Sequence, residues 1–170
     1  MSFSLTSYRD ADSVSIQYCP VRFTKLTFFT LDSFLEQLVH ASSFLGDQKV
    51  RNVVFMGMGE PLNNYENVIA ACRAMIDPST WSMKHHHVTI STVGIVSKIY
   101  RLTRDLPLVS LALSLHAPNQ SMREKIIPTA KYYPLEDLIR ALDQHSNMCL
   151  NGRGVHAKRK RSMIEYVMCK

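Results

Sequence analysis

Apolar positions along this chain fall into two alternating rhythms. Short runs rich in apolar or β-branched residues stand at Asn52-Val53-Val54-Phe55-Met56-Gly57, at His87-Val88-Thr89-Ile90-Ser91-Thr92, over residues 108–115 and over residues 163–168. They predict strands, and the near-continuous apolarity of the first is that of a strand covered on both faces. Between them the period lengthens to that of a helix. The first helix is predicted over residues 31–44, with Thr30 as N-cap and Phe34, Leu35, Leu38 and Val39 on one face. The second spans residues 65–76, buries Val68, Ile69, Cys72 and Ile76, and is stopped by Pro78. The third follows Gly94 with Ile95, Ile99 and Leu102 as its apolar positions. The fourth starts beside Pro134 with Leu135, Leu138, Ile139 and Leu142 facing inward. Residues 1–29 show no clear period and residues 147–161 read as a polar loop.

Strands separated by helices must pair in parallel through right-handed crossovers. The fold class is therefore α/β with a parallel sheet, and either an open doubly wound sheet or part of a (βα) barrel fits the order. We expect an irregular N-terminal segment over residues 1–29 and one domain over residues 30–170, with no internal repeat. In both architectures ligands gather at the C-terminal ends of the strands. The informative residues are thus Gly57-Met58-Gly59-Glu60-Pro61-Leu62, Ser91-Thr92-Val93-Gly94 and Ser114-Leu115-His116-Ala117-Pro118-Asn119. Small, hydroxyl, carboxylate and imidazole groups on an apolar scaffold suit a polar small molecule.

Composition narrows the picture. An apolar content of 46% can offset the entropy of ordering, which excludes a disordered chain. No apolar stretch approaches the ~18 residues of a membrane span, and no secretory h-region follows the polar first residues. The cysteines, Cys19, Cys72, Cys149 and Cys169, are far apart and share no metal-like spacing. They are expected as reduced thiols in a cytoplasmic or organellar compartment, plastid or mitochondrion, rather than in a secreted protein. The formal charge is +6, and its distribution says more than its size: residues 121–170 hold ten Lys/Arg against five Asp/Glu, whereas residues 1–120 hold ten against nine. Lys158, Arg159, Lys160 and Arg161 are consecutive. Such a field favours a polyanion such as nucleic acid, and a solvated basic loop is the plain alternative. His85-His86-His87 reads as a basic loop rather than a metal site, since consecutive side chains ahead of a strand point apart.

The same rim segments resemble a known family. Asn52-Val53-Val54-Phe55-Met56-Gly57-Met58-Gly59-Glu60-Pro61-Leu62 with Asn64-Tyr65-Glu66-Asn67-Val68 is similar to the hallmark of RlmN/Cfr-type radical-SAM RNA methyltransferases. Three further blocks follow in family order: residues 88–95, then Leu111-Ala112-Leu113-Ser114-Leu115-His116-Ala117-Pro118 with Arg123, Lys125, Ile126 and Pro128, then Tyr133-Pro134-Leu135 and Ile164-Glu165-Tyr166-Val167. The resemblance covers residues 30–168. It implies a partial (βα) barrel, here about four βα units, that acts on carbon 2 of an adenosine in ribosomal RNA and, for some members, tRNA. It also implies S-adenosylmethionine and a [4Fe–4S] cluster, cofactors that supply the difficult chemistry while the protein supplies position and electrostatics. Carried over, Gly59 and Glu60 would hold the methionyl end of S-adenosylmethionine. Ser91 would contact its nucleoside or carboxylate, and Ser114, Leu115 and His116 would form a third contact. Taken singly, Glu60 reads as a helix N-terminal charge, Ser91 as a turn former and His116 as a loop histidine; the family order favours the functional assignment. Lys158 to Arg161 become a candidate RNA-facing loop.

The chain also departs from the family pattern. Family members bind the cluster through a C-x-x-x-C-x-x-C loop ahead of the helix that begins here at Leu31, with three thiolates leaving one iron open. That stretch here holds only Cys19, and Cys72 reads as core. We therefore expect no cluster on this chain and no catalysis by it alone. The cysteine that carries the methyl group in the family has no counterpart, since Cys169 falls too early. The expectation is an incomplete chain (a truncated gene model, a splice product or a degenerate paralogue) whose open sheet edges favour self-association.

Overall fold

The computed structural model describes residues 13–17, 30–45, 49–56, 59–150 and 162–168. It divides into two compact units, residues 1–90 and 91–170, and the boundary falls inside a strand.

The first unit holds strands β1 (Ser13–Gln17) and β2 (Asn52–Met56), the start of β3 (Val88–Thr92), and helices α1 (Leu31–Leu45) and α2 (Tyr65–Ile76). β1 pairs in parallel with β2, Ser13 opposite Asn52 through Gln17 opposite Met56, and β2 pairs in parallel with β3, Val53 opposite Val88. Each pair is joined by a helix, as parallel pairing requires. Thr30 caps α1: its Oγ1 accepts the Ser33 N–H at 3.3 Å. Phe34, Leu38 and Ala41 form the buried face of α1, and Phe34 meets Phe55 of β2 edge-on, ring centroids 5.4 Å apart. Burying such side chains is worth about 1.5–3 kcal/mol each. The buried stripe of α2 runs through Val68, Ile69, Cys72 and Met75. Ahead of β3, a turn over His85–His87 is tied back by a hydrogen bond between His87 Nδ1 and Asn52 Oδ1.

The second unit holds the end of β3, then α3 (Val96–Asp105), β4 (Ser110–Ser114), α4 (Gln120–Ile126), α5 (Leu135–Leu150) and β5 (Ser162–Glu165). β4 and β5 pair in parallel, Leu111 opposite Ser162 and Ser114 opposite Glu165. α3 packs on α5. Between them His145 is fully buried, its Nε2 2.9 Å from the Val109 carbonyl and its Nδ1 3.1 Å from Thr103 Oγ1. A carbonyl only accepts, so Nε2 carries the proton.

The fold class is the α/β class with parallel pairing that the sequence predicts. Several local expectations change. The segment over residues 1–29, expected to be irregular, contains a strand, β1, whose Ser-Val-Ser-Ile-Gln alternation is a strand pattern only five residues long. Of the polar loop expected over residues 147–161, residues 147–150 belong to α5, which continues to Leu150, and the rest lies outside the described residues. Val39 and Ile139, expected inside, are 51% and 50% exposed; Ala41 and Ala141 take the buried positions instead, where a small side chain lets a helix approach its neighbour. Ile76 is part-buried and yields its place to Met75. α4 was not anticipated, although Asn119 announces it: its Oδ1 accepts the Met122 N–H at 3.0 Å as an N-cap. Cys72 is core, as expected, and burial pushes its thiol well above the ordinary cysteine range. No described helix is long and apolar enough to cross a membrane. Cys19, Cys169 and the run from Lys158 to Arg161 lie outside the described residues.

Two outcomes follow for stability. Thr103→Val removes the hydroxyl facing a buried imidazole nitrogen, and urea denaturation is expected to show a loss of about 1–3 kcal/mol. His87 has its pKa lowered by burial, reinforced by the Arg51 and Lys84 charges. A base with a lowered folded-state pKa binds its proton more tightly when unfolded, so the contribution from His87 is present above pH ~6.5 and falls away below it. The midpoint of thermal unfolding should therefore drop between pH 7 and pH 5.5 by less in His87→Asn than in the unsubstituted chain.

Candidate functional site

The second unit brings the strand-end serines together. Ser91, near the end of β3, donates from Oγ to Glu165 Oε2 at 3.2 Å, and Ser114, the last residue of β4, donates to the same oxygen at 3.0 Å. Parallel pairing places Ser114 opposite Glu165, so the ladder itself sets the contact. The backbone repeats the convergence: the N–H groups of Leu115 and His116 both donate to the Glu165 carbonyl, at 3.1 and 3.2 Å. Four groups from the predicted rim thus meet on one residue that was not among the candidate site residues. The only sequence signal for it was its place in the Ile164-Glu165-Tyr166-Val167 block.

His116 adopts a left-handed backbone, φ +58°, which a side chain beyond glycine tolerates at a cost of about 1–3 kcal/mol. Among the described residues its buried Nδ1 has no hydrogen-bond partner, and neither has Glu165 Oε1. Buried polar atoms are nearly always satisfied, so orphans beside a strand-end cluster point to a ligand or water that completes them. Arg123 adds to the set. It is fully buried and its Nη2 donates to the Val93 carbonyl, while Nε and Nη1 have no partner among the described residues. Burial lowers its pKa, yet a guanidinium remains charged. The turn after β3 is built by Thr92, whose Oγ1 accepts the Gly94 N–H at 3.0 Å, and by Gly94 itself at φ +100°. A Cβ on Gly94 would lie 2.5 Å from Leu138 Cδ2.

Gly59 and Glu60 belong to the first unit, just beyond β2. Gly59 has φ +117°, a conformation that suits glycine. Glu60 is buried, and its Oε1 accepts the Leu62 N–H at 2.9 Å, capping the turn Pro61–Asn64. The plain assignment of Glu60 as an N-terminal charge thus describes one of its carboxylate oxygens.

The chain does not fit the cluster that its sequence resemblance implies. Four cysteines occur at 19, 72, 149 and 169 with no C-x-x-x-C-x-x-C spacing. Cys72 is sealed in α2 with a raised pKa, the opposite of what a thiolate ligand needs. Among the described residues no group of His, Cys, Asp and Glu could hold a metal ion.

Against this geometry the comparisons with known proteins are specific. The profile of the Radical SAM superfamily matches residues 17–155, and the chain belongs to that superfamily. It is 45% identical over 114 residues to a probable dual-specificity RNA methyltransferase RlmN 2 of Protochlamydia amoebophila, covering 66% of this chain and 32% of the relative. It is 43% identical over 141 residues to the probable RlmN of Thermus thermophilus, covering 82% and 36%. A crystal structure of a radical SAM methyltransferase from Sphaerobacter thermophilus matches with a TM-score of 0.74 at 30% identity, over 92% of this chain and 47% of that one. Within the superfamily the chain is of the RlmN type, and it spans about a third of the length of these curated relatives.

The strained histidine gives a direct check. His116→Gly is expected to raise stability by about 1 kcal/mol, because glycine accepts the left-handed backbone. His116→Ala keeps the strain and should show no such gain in thermal unfolding.

Proposed function

We propose that this chain holds the nucleoside-bearing part of S-adenosylmethionine at the strand ends of an RlmN-type fold whose reaction is methylation of carbon 2 of an RNA adenine. One observation carries this reading: Ser91 and Ser114, each at a family motif position, are gathered on a single carboxylate with buried, unpaired polar atoms beside them. Leu115 and His116 complete that rim, and Gly59 and Glu60 would receive the methionyl end. The substrate would be ribosomal RNA or tRNA, met in part by the basic run from Lys158 to Arg161, in a cytoplasmic or organellar compartment.

The cysteine pattern favours a second reading of the same pocket. Without a three-thiolate set the chain binds S-adenosylmethionine but does not cleave it, and acts as a non-catalytic module that contacts cofactor and RNA. Anaerobic reconstitution with iron and sulfide, followed by metal analysis, is expected to leave no stoichiometric [4Fe–4S] centre; a full cluster would return the chain to the catalytic reading. Titration of S-adenosylmethionine into isotope-labelled chain should give weak, saturable shifts centred on Ser91, Ser114 and His116. Absence of any shift would remove the pocket assignment. Self-association belongs to the same proposal, since Met163 and Ile164 of β5 are half exposed. Light scattering after size exclusion should report a dimer or larger species, and a monodisperse monomer would exclude it.

A further inference from the structure

The solvent side of α4 and the segment after it carry an aromatic ring and two cations that the strand-end cluster does not use. Arg123 marks the buried side of α4. Met122, Lys125 and Ile126, three and four residues apart, share the other side and are exposed. The chain then runs through a short 3-10 segment, Pro128–Tyr132, which packs on α4. Gln120 of α4 clamps the chain on either side of Tyr132: its Nε2 donates to the Ala130 carbonyl at 2.9 Å and its Oε1 accepts the Leu135 N–H at 3.1 Å. Pro128 fixes the backbone where the segment starts, Ala130 is buried, and the Tyr133 N–H donates to the Ala130 carbonyl at 3.0 Å.

On this rigid stretch Tyr132 is 68% exposed, so its ring is held in water rather than packed. Lys131 Nζ stands over the ring, 4.9 Å from its centroid, and a cation on one face leaves the other for a flat partner. Neither Lys125 nor Lys131 pairs with a carboxylate among the described residues. Glu124, the acid of α4, accepts from Gln120 Nε2 at 2.8 Å. A fixed, open ring with uncompensated cations on the same packed elements meets both demands of a single-stranded nucleic acid, a surface for a base and charge for its phosphates. A duplex keeps its bases stacked on one another and cannot use the ring. A second copy docking through the same face would bring Lys125 and Lys131 against their own counterparts.

We propose that Tyr132, with Lys131 and Lys125, is a stacking platform for one unpaired base of an RNA strand, separate from the strand-end cluster. The proposal rests on the reading that this chain contacts RNA. The full chain and its variants are titrated, by fluorescence anisotropy, into a short single-stranded RNA and into the same sequence as a duplex, with thermal unfolding as the check on folding. Tyr132→Ala is expected to weaken single-strand binding by roughly 5- to 100-fold, the value of stacking one base, and to leave duplex binding unchanged. Tyr132→Phe keeps the ring and should bind as the unsubstituted chain does. Lys131→Gln should reduce the steepness of the salt dependence by about 0.7 in log K against log salt, one phosphate of a single strand. Single-strand binding that survives Tyr132→Ala overturns the platform and leaves the RNA reading standing, and so does an equal loss for strand and duplex. A loss in Tyr132→Phe as large as in Tyr132→Ala overturns it too, since the contact would then be the hydroxyl. If light scattering shows that Tyr132→Ala dissociates an oligomer while RNA binding stays the same, the face is an interface between copies and the proposal falls. No binding of either RNA by the unsubstituted chain removes the RNA reading and the platform together.

Discussion

The register between β4 and β5 is the constraint on which the candidate site depends. Ser114 stands opposite Glu165 in the parallel ladder, and that pairing puts a carboxylate beside the last side chain of β4. A slip of one residue would turn Glu165 to the other face of the sheet and scatter the cluster. The backbone contacts reinforce the alignment. Because the Glu165 carbonyl accepts from both Leu115 and His116, the chain leaving β4 is held at the point where His116 must take up its left-handed turn. Strain at His116 is thus stored next to two hydrogen bonds that hold it, an arrangement common where a side chain has to be aimed rather than merely packed.

The helices of the second unit supply the stiffness that this alignment requires. Gly94 lets the turn after β3 pass tightly against Leu138 of α5, so the chain bearing Ser91 is positioned by helix packing as well as by its ladder. His145 links α5 to α3 and to the backbone before β4 through groups that have no access to water. Arg123 reaches from α4 to the Val93 carbonyl in the same turn. A buried guanidinium with two idle nitrogens is costly unless something completes it. Its presence beside the strand ends fits a surface shaped for more than its own packing.

The chemistry of the cysteines sets the limit on what this chain does alone. Radical SAM chemistry needs thiolates, and a thiolate needs an electropositive or partly exposed site. Cys72 has neither, being enclosed by the apolar face of α2. The strand-end cluster of Ser91, Ser114 and Glu165 is present in this chain, while a three-thiolate spacing is absent from its cysteine pattern.

Local sequence determined much of this protein directly. The helical stripes of α1, α2 and α3, the Thr30 cap, the parallel α/β class and the burial of Cys72 all follow from period and residue type, which are properties of neighbouring residues. Rim positions Ser91, Ser114 and His116 were legible too, since they directly follow or end a strand. Tertiary structure decided the rest. Whether Val39 or Ala41 faces the core depends on how closely a neighbouring helix approaches. β1 becomes a strand only because β2 offers it a ladder. Glu165 acquires its role only when the β4–β5 register brings it beside two serines, 51 and 74 residues away along the chain. No local pattern records a hydrogen bond of that reach, because its partners become neighbours only once the sheet has formed.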